Sequence, residues 1–564
     1  MADGSRVPLA AAPDLPPPVL ADAAGELVLD MSGQPFVDRA ERTPDGALRI
    51  TGTGAGTGAG AAEAGARTGA GTEAEAGTGD ATTTHATTTH DALTLRHETL
   101  RETVAVPLER QAGRFTALLP GSLPEGRWDL YLGATPVRLL ASLATRLPTR
   151  RSDAEPALER RHGDRLTVHA GPALAPAERG AYRQRLLRTS HYEDRRTLPL
   201  RDAVLYAGGD SPRAVHTELV RRGTDTEHLY VTGTAPGRTA HIPPAALPVL
   251  DRSADWYEAL ARARRIVTDG HLPAWFERRP GQTVVQTWHG TPLGRFGTGL
   301  TGTLYADHHH LATLPHRSSQ WSVLVSPSRF ATPLLRGSLA YGGEVLEAGS
   351  PANDLLFSPD RDKTAERVRR GLGIPEGHRV VLYAPTYRDH LAHPPGALPA
   401  HSPCLYRWDP ALDPHALARS LGDGHTVLVR RHPRVTGSVP EAPGVRDVSG
   451  HPDTAELLLI ADVLVTDYAG LMFDFAHTGR PMLFHTYDLE HYRDTVRGFC
   501  LDFETRAPGP LLVTTDEVAR ALRDTGALTA RHSDAYESFR RDYCDLDDGG
   551  AAGRVADRLL ADRG

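Results

Sequence analysis

The sequence predicts an α/β protein, a pair of doubly wound α/β domains preceded by a small all-β accessory domain. Three observations predict it. Before about residue 170 apolar positions alternate with period two, whereas after about residue 200 short apolar runs alternate with amphipathic stretches of helical period. That strand–helix alternation comes in two consecutive series, one from about residue 200 and one from about 345, as two open parallel sheets would require. The unusual motifs of the second half stand where apolar runs end: WHG after TVVQT, PTYR after VVLYA, RRHP after TVLV and TDYAG after DVLV. Open α/β sheets bind ligands outside the carboxyl ends of their strands, so the coincidence points to one cleft.

Taken in order, residues 1–19 carry one Arg and three consecutive prolines where a secretory signal needs an apolar core, and are expected to be a disordered leader. Residues 20–170 form the β-domain, an antiparallel array built from GELVLD, ALRITG, ALTLRHETL, ETVAVPLER, RFTALLP, GRWDLYLGA and TPVRLLASL. Within it, residues 51–91 are low in complexity, rich in Gly, Ala and Thr and without large apolar residues. They are expected to be a disordered insert at a hairpin tip. Residues 171–199 are an Arg-rich linker or helix. Residues 200–344 make the first α/β domain, with DAVLYAGG, EHLYVTG, RRIVTDG and QTVVQTWHG as strands and RAVHTELVRRG and WYEALARA as helices. Residues 345–564 make the second. Its strands are GEVLEAGSP, RVVLYAPTYR, HTVLVRRHP, ADVLVTDY and PMLFHTY, and its helices DKTAERVRRGLG, ALARSLG and DTAELLLIA.

Composition excludes several classes of function. A net charge of −7 argues against a nucleic-acid partner. Lys363 is the only lysine, so there is no Walker lysine and no Schiff-base candidate. Cys404, Cys500 and Cys544 lie far apart, without zinc spacing, and suit a reducing compartment. No apolar run reaches the roughly 18 residues of a membrane span, so a cytoplasmic protein is expected. The stretch 181–201, AYRQRLLRTSHYEDRRTLPLR, concentrates arginine and could meet an anionic membrane surface.

The segments SPRAVHTELVRRG, QTWHGTPLGRFG, VSPSRFATPLL, GSPANDLLF, VVLYAPTYRD, LVRRHP, TAELLLIADVLVTDYAGLMFDFAHTGRPMLF and YDLEHYRDTVRGFCLDFETRAPGP stand in one order over about residues 200–520. In them the chain resembles the CDP-glycerol glycerophosphotransferase family, the bacterial teichoic acid polymerases and primases. The resemblance implies the two-domain glycosyltransferase-B fold. It also implies transfer of glycerol phosphate from CDP-glycerol to a hydroxyl of a polymer or lipid-linked acceptor, with CMP leaving, at the inner face of the cell membrane. No cofactor is expected to be required, and a non-specific divalent ion stays open. Two positions depart from the family. The usual Lys after WHGTPL is Gly294, with Arg295 beside it, and the usual Ser-Ser after TDY is Ala469-Gly470. A ribitol donor, a nucleotide-sugar glycosyltransferase on the same fold and a non-catalytic polymer-binding protein stay open as other readings.

The residue chemistry fits that implication. Transfer to an alcohol needs a base, and an imidazole, with an ordinary pKa of about 6.5, serves at neutral pH. His289, between Trp288 as a wall and Gly290 as an opening in the backbone, is the candidate. His432, fixed by Pro433, is placed to donate to a phosphate oxygen, with Arg430 to offset charge. Thr386 and Arg388 are candidate donor contacts. The turn Thr466-Asp467-Tyr468-Ala469-Gly470 leads from an apolar strand into a short helix, an arrangement that presents backbone N–H groups to phosphate. Asp467 could orient a histidine, bind the ribose or cap that helix. Asp474, between two phenylalanines on the helix, needs a partner. The run His308-His309-His310 with His316 lacks the pattern of a metal site, and Cys500 reads as core.

Overall fold

The structure is a computed structural model that describes residues 19–21, 27–29, 34–43, 47–54, 92–98, 103–111, 113–120, 123, 125–148, 156–171, 174–233, 242–394, 405–440 and 442–561. The leader and most of the low-complexity insert lie outside them. The chain divides into two compact units, residues 1–172 and 173–564.

The first unit is built on one 10-stranded sheet. Its order is Arg138–Leu139, Phe36–Arg42, Leu48–Thr53, Arg114–Leu119, Thr103–Gln111, Ala92–His97, Gly126–Leu132, Leu166–Ala170 and Ala157–Arg160, with Thr135–Pro136 paired to Gly126–Leu132. Alternation puts Leu48 and Ile50, Leu93 and Leu95, Phe115 and Ala117, and Trp128 and Leu130 into one core. All pairings are antiparallel except Arg138–Leu139, which runs parallel to Phe36–Val37. In TPVRLLASL the alternation fails after Leu139, and Ala141–Ala144 turns into a short helix.

The insert is not at a hairpin tip. The strands before and after it, Leu48–Thr53 and Ala92–His97, are separated in the sheet by Arg114–Leu119 and Thr103–Gln111. The strand ends that flank it, Thr53 and Ala92, therefore belong to strands that are not neighbours. A ten-residue Gly-Ser replacement is therefore expected to leave melting temperature and activity unchanged, because longer loops add little closure entropy. A two-residue turn in its place should unfold the sheet. Equal melting of the two replacements, followed by circular dichroism, would contradict this connection.

The second unit holds two large parallel sheets and a two-stranded one, Tyr406–Arg407 with Val435–Thr436. The seven-stranded one runs Leu247–Leu250, Glu227–Thr232, Arg201–Ala207, Ala263–Thr268, Thr283–Gln286, Val323–Ser326, Glu344–Glu347. The six-stranded one runs Val445–Asp447, His425–Val429, Arg379–Tyr383, Val463–Thr466, Met482–His485, Leu511–Leu512. Each is a doubly wound sheet whose order reverses beside its first strand, and such switch points open crevices at the carboxyl ends. The central strands are buried throughout and apolar up to a polar last residue, as sheets covered on both faces require.

Two boundaries differ from the sequence reading. Glu344–Glu347, expected to open the second series, pairs parallel with Val323–Ser326 and closes the first sheet. The C-terminal helix Ala551–Ala561 returns to the first sheet, where Val555, Ala556 and Leu559 pack with Val204, Tyr206, Val267 and Val325. Arg265 Nε donates to the Leu559 carbonyl at 3.1 Å, and Arg558 pairs with Glu344 at 2.8 Å. Neither connection leaves a mark in local periodicity. The Arg-rich segment is helical from Gly180 to Arg196 and anchored by buried Tyr192 against Trp275.

Candidate active site

On the first sheet the strand Thr283–Gln286 ends in Thr287-Trp288-His289-Gly290. Thr287 N donates to Thr268 O at 2.7 Å, and the Gln286 amide bridges Gly270 O and Trp288 N at 2.7 and 2.8 Å. This lashing holds Trp288 at φ +53, a left-handed conformation rare for a bulky residue and found where geometry serves a site. His289 is exposed and stacks on the Trp288 ring at 4.2 Å. Its Nδ1 lies 3.3 Å from the Asp269 carbonyl oxygen. A carbonyl only accepts, so Nδ1 carries the proton and Nε2 presents a lone pair.

The loop then crosses to the second sheet. Cys500 N donates to Leu293 O at 2.7 Å and Arg295 N to Gly498 O at 3.2 Å. A Cβ at Gly470 would lie 2.7 Å from Thr291 O, so the backbone approach here needs glycine. That accounts for Gly470 where the family resemblance places serine. Gly290, at φ +93, faces Asp474: a Cβ there would lie 3.5 Å from the carboxylate. Asp474 accepts from Asn353 Nδ2 at 2.9 Å, and burial pushes its carboxyl up to about 7. Ala469 is half-buried and lies in the turn.

On the second sheet His432 follows the strand His425–Val429. Its Nδ1 accepts from Arg434 N at 3.1 Å, so Nε2 carries the proton. Burial, then Arg434 and His289, press its pKa down to about 3, which keeps it neutral. Tyr387 meets the His432 ring edge-on at 4.8 Å and stacks on Tyr406 at 4.3 Å. Arg434 lies over both tyrosine rings. Arg497 donates to Tyr387 Oη at 2.6 Å and to both Asp389 oxygens at 2.8 Å.

Several residues expected to touch the donor are buried and tied to other protein groups. Arg388 is 4% exposed and donates to Asp467 at 2.8 Å and to both Asp488 oxygens at 2.8 and 3.1 Å. Burial opposes its charge, but Asp467 and Asp488 outweigh this and hold its pKa high. Asp467, whose pKa burial raises, also accepts from Thr386 N at 2.9 Å. Thr466 is fully buried and donates to Ala384 O, while Tyr468 donates to Asp488 and stacks on Tyr492. Arg430 turns away to His451 O and Thr454 Oγ1, at 3.1 and 2.7 Å. The side chains around His432 that sequence reading missed are Tyr387, Arg434 and Arg497. Each stands in or beside a motif already quoted: Tyr387 in APTYR, Arg434 after RRHP, Arg497 in RGF. Arg295 is exposed and its guanidinium runs past Gly498. Cys500 is half-buried. Among the described residues no group of three or more His, Cys, Asp or Glu is placed to hold a metal ion.

Residues 203–561 match the sequence profile described as CDP-Glycerol:Poly(glycerophosphate) glycerophosphotransferase. The chain is 33% identical over 316 residues to the teichoic acid poly(glycerol phosphate) polymerase of Bacillus spizizenii, covering 55% of this chain and 77% of that protein. It is 30% identical over 358 residues to the teichoic acid glycerol-phosphate transferase of Staphylococcus aureus, covering 62% and 89%. Against the Bacillus subtilis poly(glycerol phosphate) polymerase it is 31% identical over 62% of this chain, and the match spans only 46% of that polymerase's length. Among solved structures, the wall teichoic acid polymerase TagF superposes with a TM-score of 0.59 and 26% identity over 67% of this chain and 92% of TagF. With a profile match over more than half its length and this shared two-sheet body, the chain belongs to the CDP-glycerol:poly(glycerophosphate) glycerophosphotransferase family.

Proposed function

We propose that the protein transfers glycerol phosphate from CDP-glycerol to a terminal hydroxyl of a teichoic-acid-like polymer, releasing CMP. One observation carries the reading. Two imidazoles at strand ends of the two sheets are set by backbone groups in opposite tautomers, His289 with a free lone pair and His432 with a free N–H. In this reading His289 Nε2 takes the proton of the acceptor hydroxyl as its oxygen attacks the β-phosphorus. The bond from that phosphorus to the bridging oxygen breaks, and CMP leaves with the electron pair. His432 Nε2–H donates to a phosphate oxygen, and Arg434 and Arg497 offset the charge. The likeness to TagF supports the donor, since that polymerase was also solved after soaking with CDPG.

CMP release measured with CDP-glycerol, CDP-ribitol and UDP-glucose tests the reading. CDP-glycerol should be consumed fastest; UDP-glucose turnover without CMP release would replace the reading with sugar transfer. His432→Ala should weaken CDP-glycerol binding by about 10–100-fold, the worth of one hydrogen bond to a charged group. Unchanged affinity by calorimetry would place this histidine elsewhere.

The acceptor is assigned to the inner membrane face, and among the described residues no helix is long and apolar enough to cross a membrane. We assign attachment to the Arg-rich helix. Arg183, Arg185 and Arg188 are exposed there, whereas Arg195 pairs with Glu258 at 3.2 Å and Arg196 donates to Glu277 O. Each free arginine contributes about 1 kcal/mol at an anionic surface, screened over a Debye length of about 8 Å. Sedimentation with anionic vesicles at low salt, release at high salt, and loss on changing all three to Glu are expected. Equal binding to neutral vesicles would remove the electrostatic anchor.

A further inference from the structure

Behind Trp288, on the side of the first sheet, lies a group of basic side chains that the transfer chemistry above does not use. His271, in the loop after Ala263–Thr268, meets His310 with ring centres 4.8 Å apart. It packs at 5.8 Å from Trp288 and 5.9 Å from Trp321. His310 lies in the first turn of the helix His308–Ser319, and Arg317 stands two turns further along it. His271 Nδ1 and Arg317 Nε are buried without a hydrogen-bond partner. An orphaned buried donor is costly. Among the described residues neither group is paired with a carboxylate. The one acid acting on Arg317 is Asp307, whose Oδ1 already caps the helix at His310 N, 2.9 Å away.

We propose that His271, His310 and Arg317 form a second anion subsite, which holds a phosphodiester of the acceptor chain while its terminal hydroxyl lies at His289. The inference rests on the glycerol-phosphate transfer reading and deepens it by saying where the acceptor is gripped. The geometry fits a chain entering past Trp288, whose ring meets both His271 and His289. Charge fits too. Burial, then His310, Arg317 and His289, press the His271 pKa down to about 3. Burial and Arg317, with Arg434 contributing from the other sheet, lower that of His310. Basic groups that crowd one another in this way are relieved by an anion, and the donor's own phosphates belong on the other side, at His432, Arg434 and Arg497.

The test is calorimetric titration of the full chain with a synthetic tri(glycerol phosphate), with CDP-glycerol and with inorganic phosphate. The double variant His310→Gln, Arg317→Gln should weaken oligomer binding by about 10–100-fold, as expected for lost charged hydrogen bonds. CDP-glycerol affinity should stay within about twofold, and in turnover the acceptor KM should rise more than kcat falls. Arg317→Lys, which keeps charge and fold, should restore part of the affinity. Oligomer binding unchanged in the double variant overturns the subsite, as does no oligomer binding by the wild type. So does equal loss of oligomer and donor binding at unchanged melting temperature, which would assign the anion to the donor. Tight inorganic phosphate with weak oligomer binding also overturns it. Wild-type CMP release from CDP-glycerol is read separately, so that failure of the transfer reading is told apart from failure of this one.

Discussion

His289→Ala should cut CMP release from CDP-glycerol by about 10²–10⁴-fold, the usual contribution of a positioned general base, while donor affinity holds. The carbonyl of Asp269 fixes the proton on Nδ1 and leaves the Nε2 lone pair free for the proposed proton transfer. Trp288 at φ +53 sets the ring plane by stacking on it. On the proposed assignment the effect is thus on kcat and not on donor binding, because the cations and the N–H donor proposed for the phosphates stand on the second sheet, around His432. His289→Gln separates position from basicity: it can fill the space and bond to Asp269 but cannot take a proton at neutral pH, so it should be nearly as inactive as the alanine variant. Near wild-type turnover in either variant would end the base assignment. A loss of CDP-glycerol affinity equal to the loss of rate would move His289 to the donor.

The parts of this site legible in the sequence are those where a strand end meets a small residue. Trp288-His289-Gly290 and Ala469-Gly470 come shortly after largely apolar, buried strands, and both lie at carboxyl ends of the parallel sheets. The direction of each side chain was not legible. Arg430 and Arg434 stand four residues apart on either side of His432 and have the same chemistry. Whether one reaches Thr454 or the Tyr387 ring depends on Thr454 and Ser449 lying beside the strand end, a long-range fact. Arg388 in APTYR reads as a donor contact until Asp488, a hundred residues on, is seen to close on it. The same limit hid the return of Ala551–Ala561 to the first sheet, since an amphipathic helix states its apolar face but not its partner. The insert misled for a simpler reason. Successive strands are usually neighbours, and here two later strands come between them.

Arg388→Ala should lower stability by about 3–5 kcal/mol, the cost of breaking a buried ion pair from one side. The arginine lies across the switch point of the six-stranded sheet. It joins Asp467, after Val463–Thr466, to Asp488, after Met482–His485, and is roofed by Tyr468, Tyr487 and Tyr492 at 5.0–5.3 Å. Without it two carboxylates remain buried without a cation. Each also has a second task, Asp467 holding Thr386 N and Asp488 holding Tyr468 Oη. The unfolding transition should therefore fall by several degrees, and CDP-glycerol binding should fall with it as the floor of the cleft loosens. Arg388→Lys should recover only part, because an ammonium cannot span both carboxylates in the forked geometry that the guanidinium adopts. Asp467→Asn should be milder than the loss of the arginine, since burial already raises the Asp467 pKa and the amide oxygen can still accept from Thr386 N. A variant lacking Arg388 that melts with the wild type and loses only donor affinity would return this residue from the floor of the cleft to its lining.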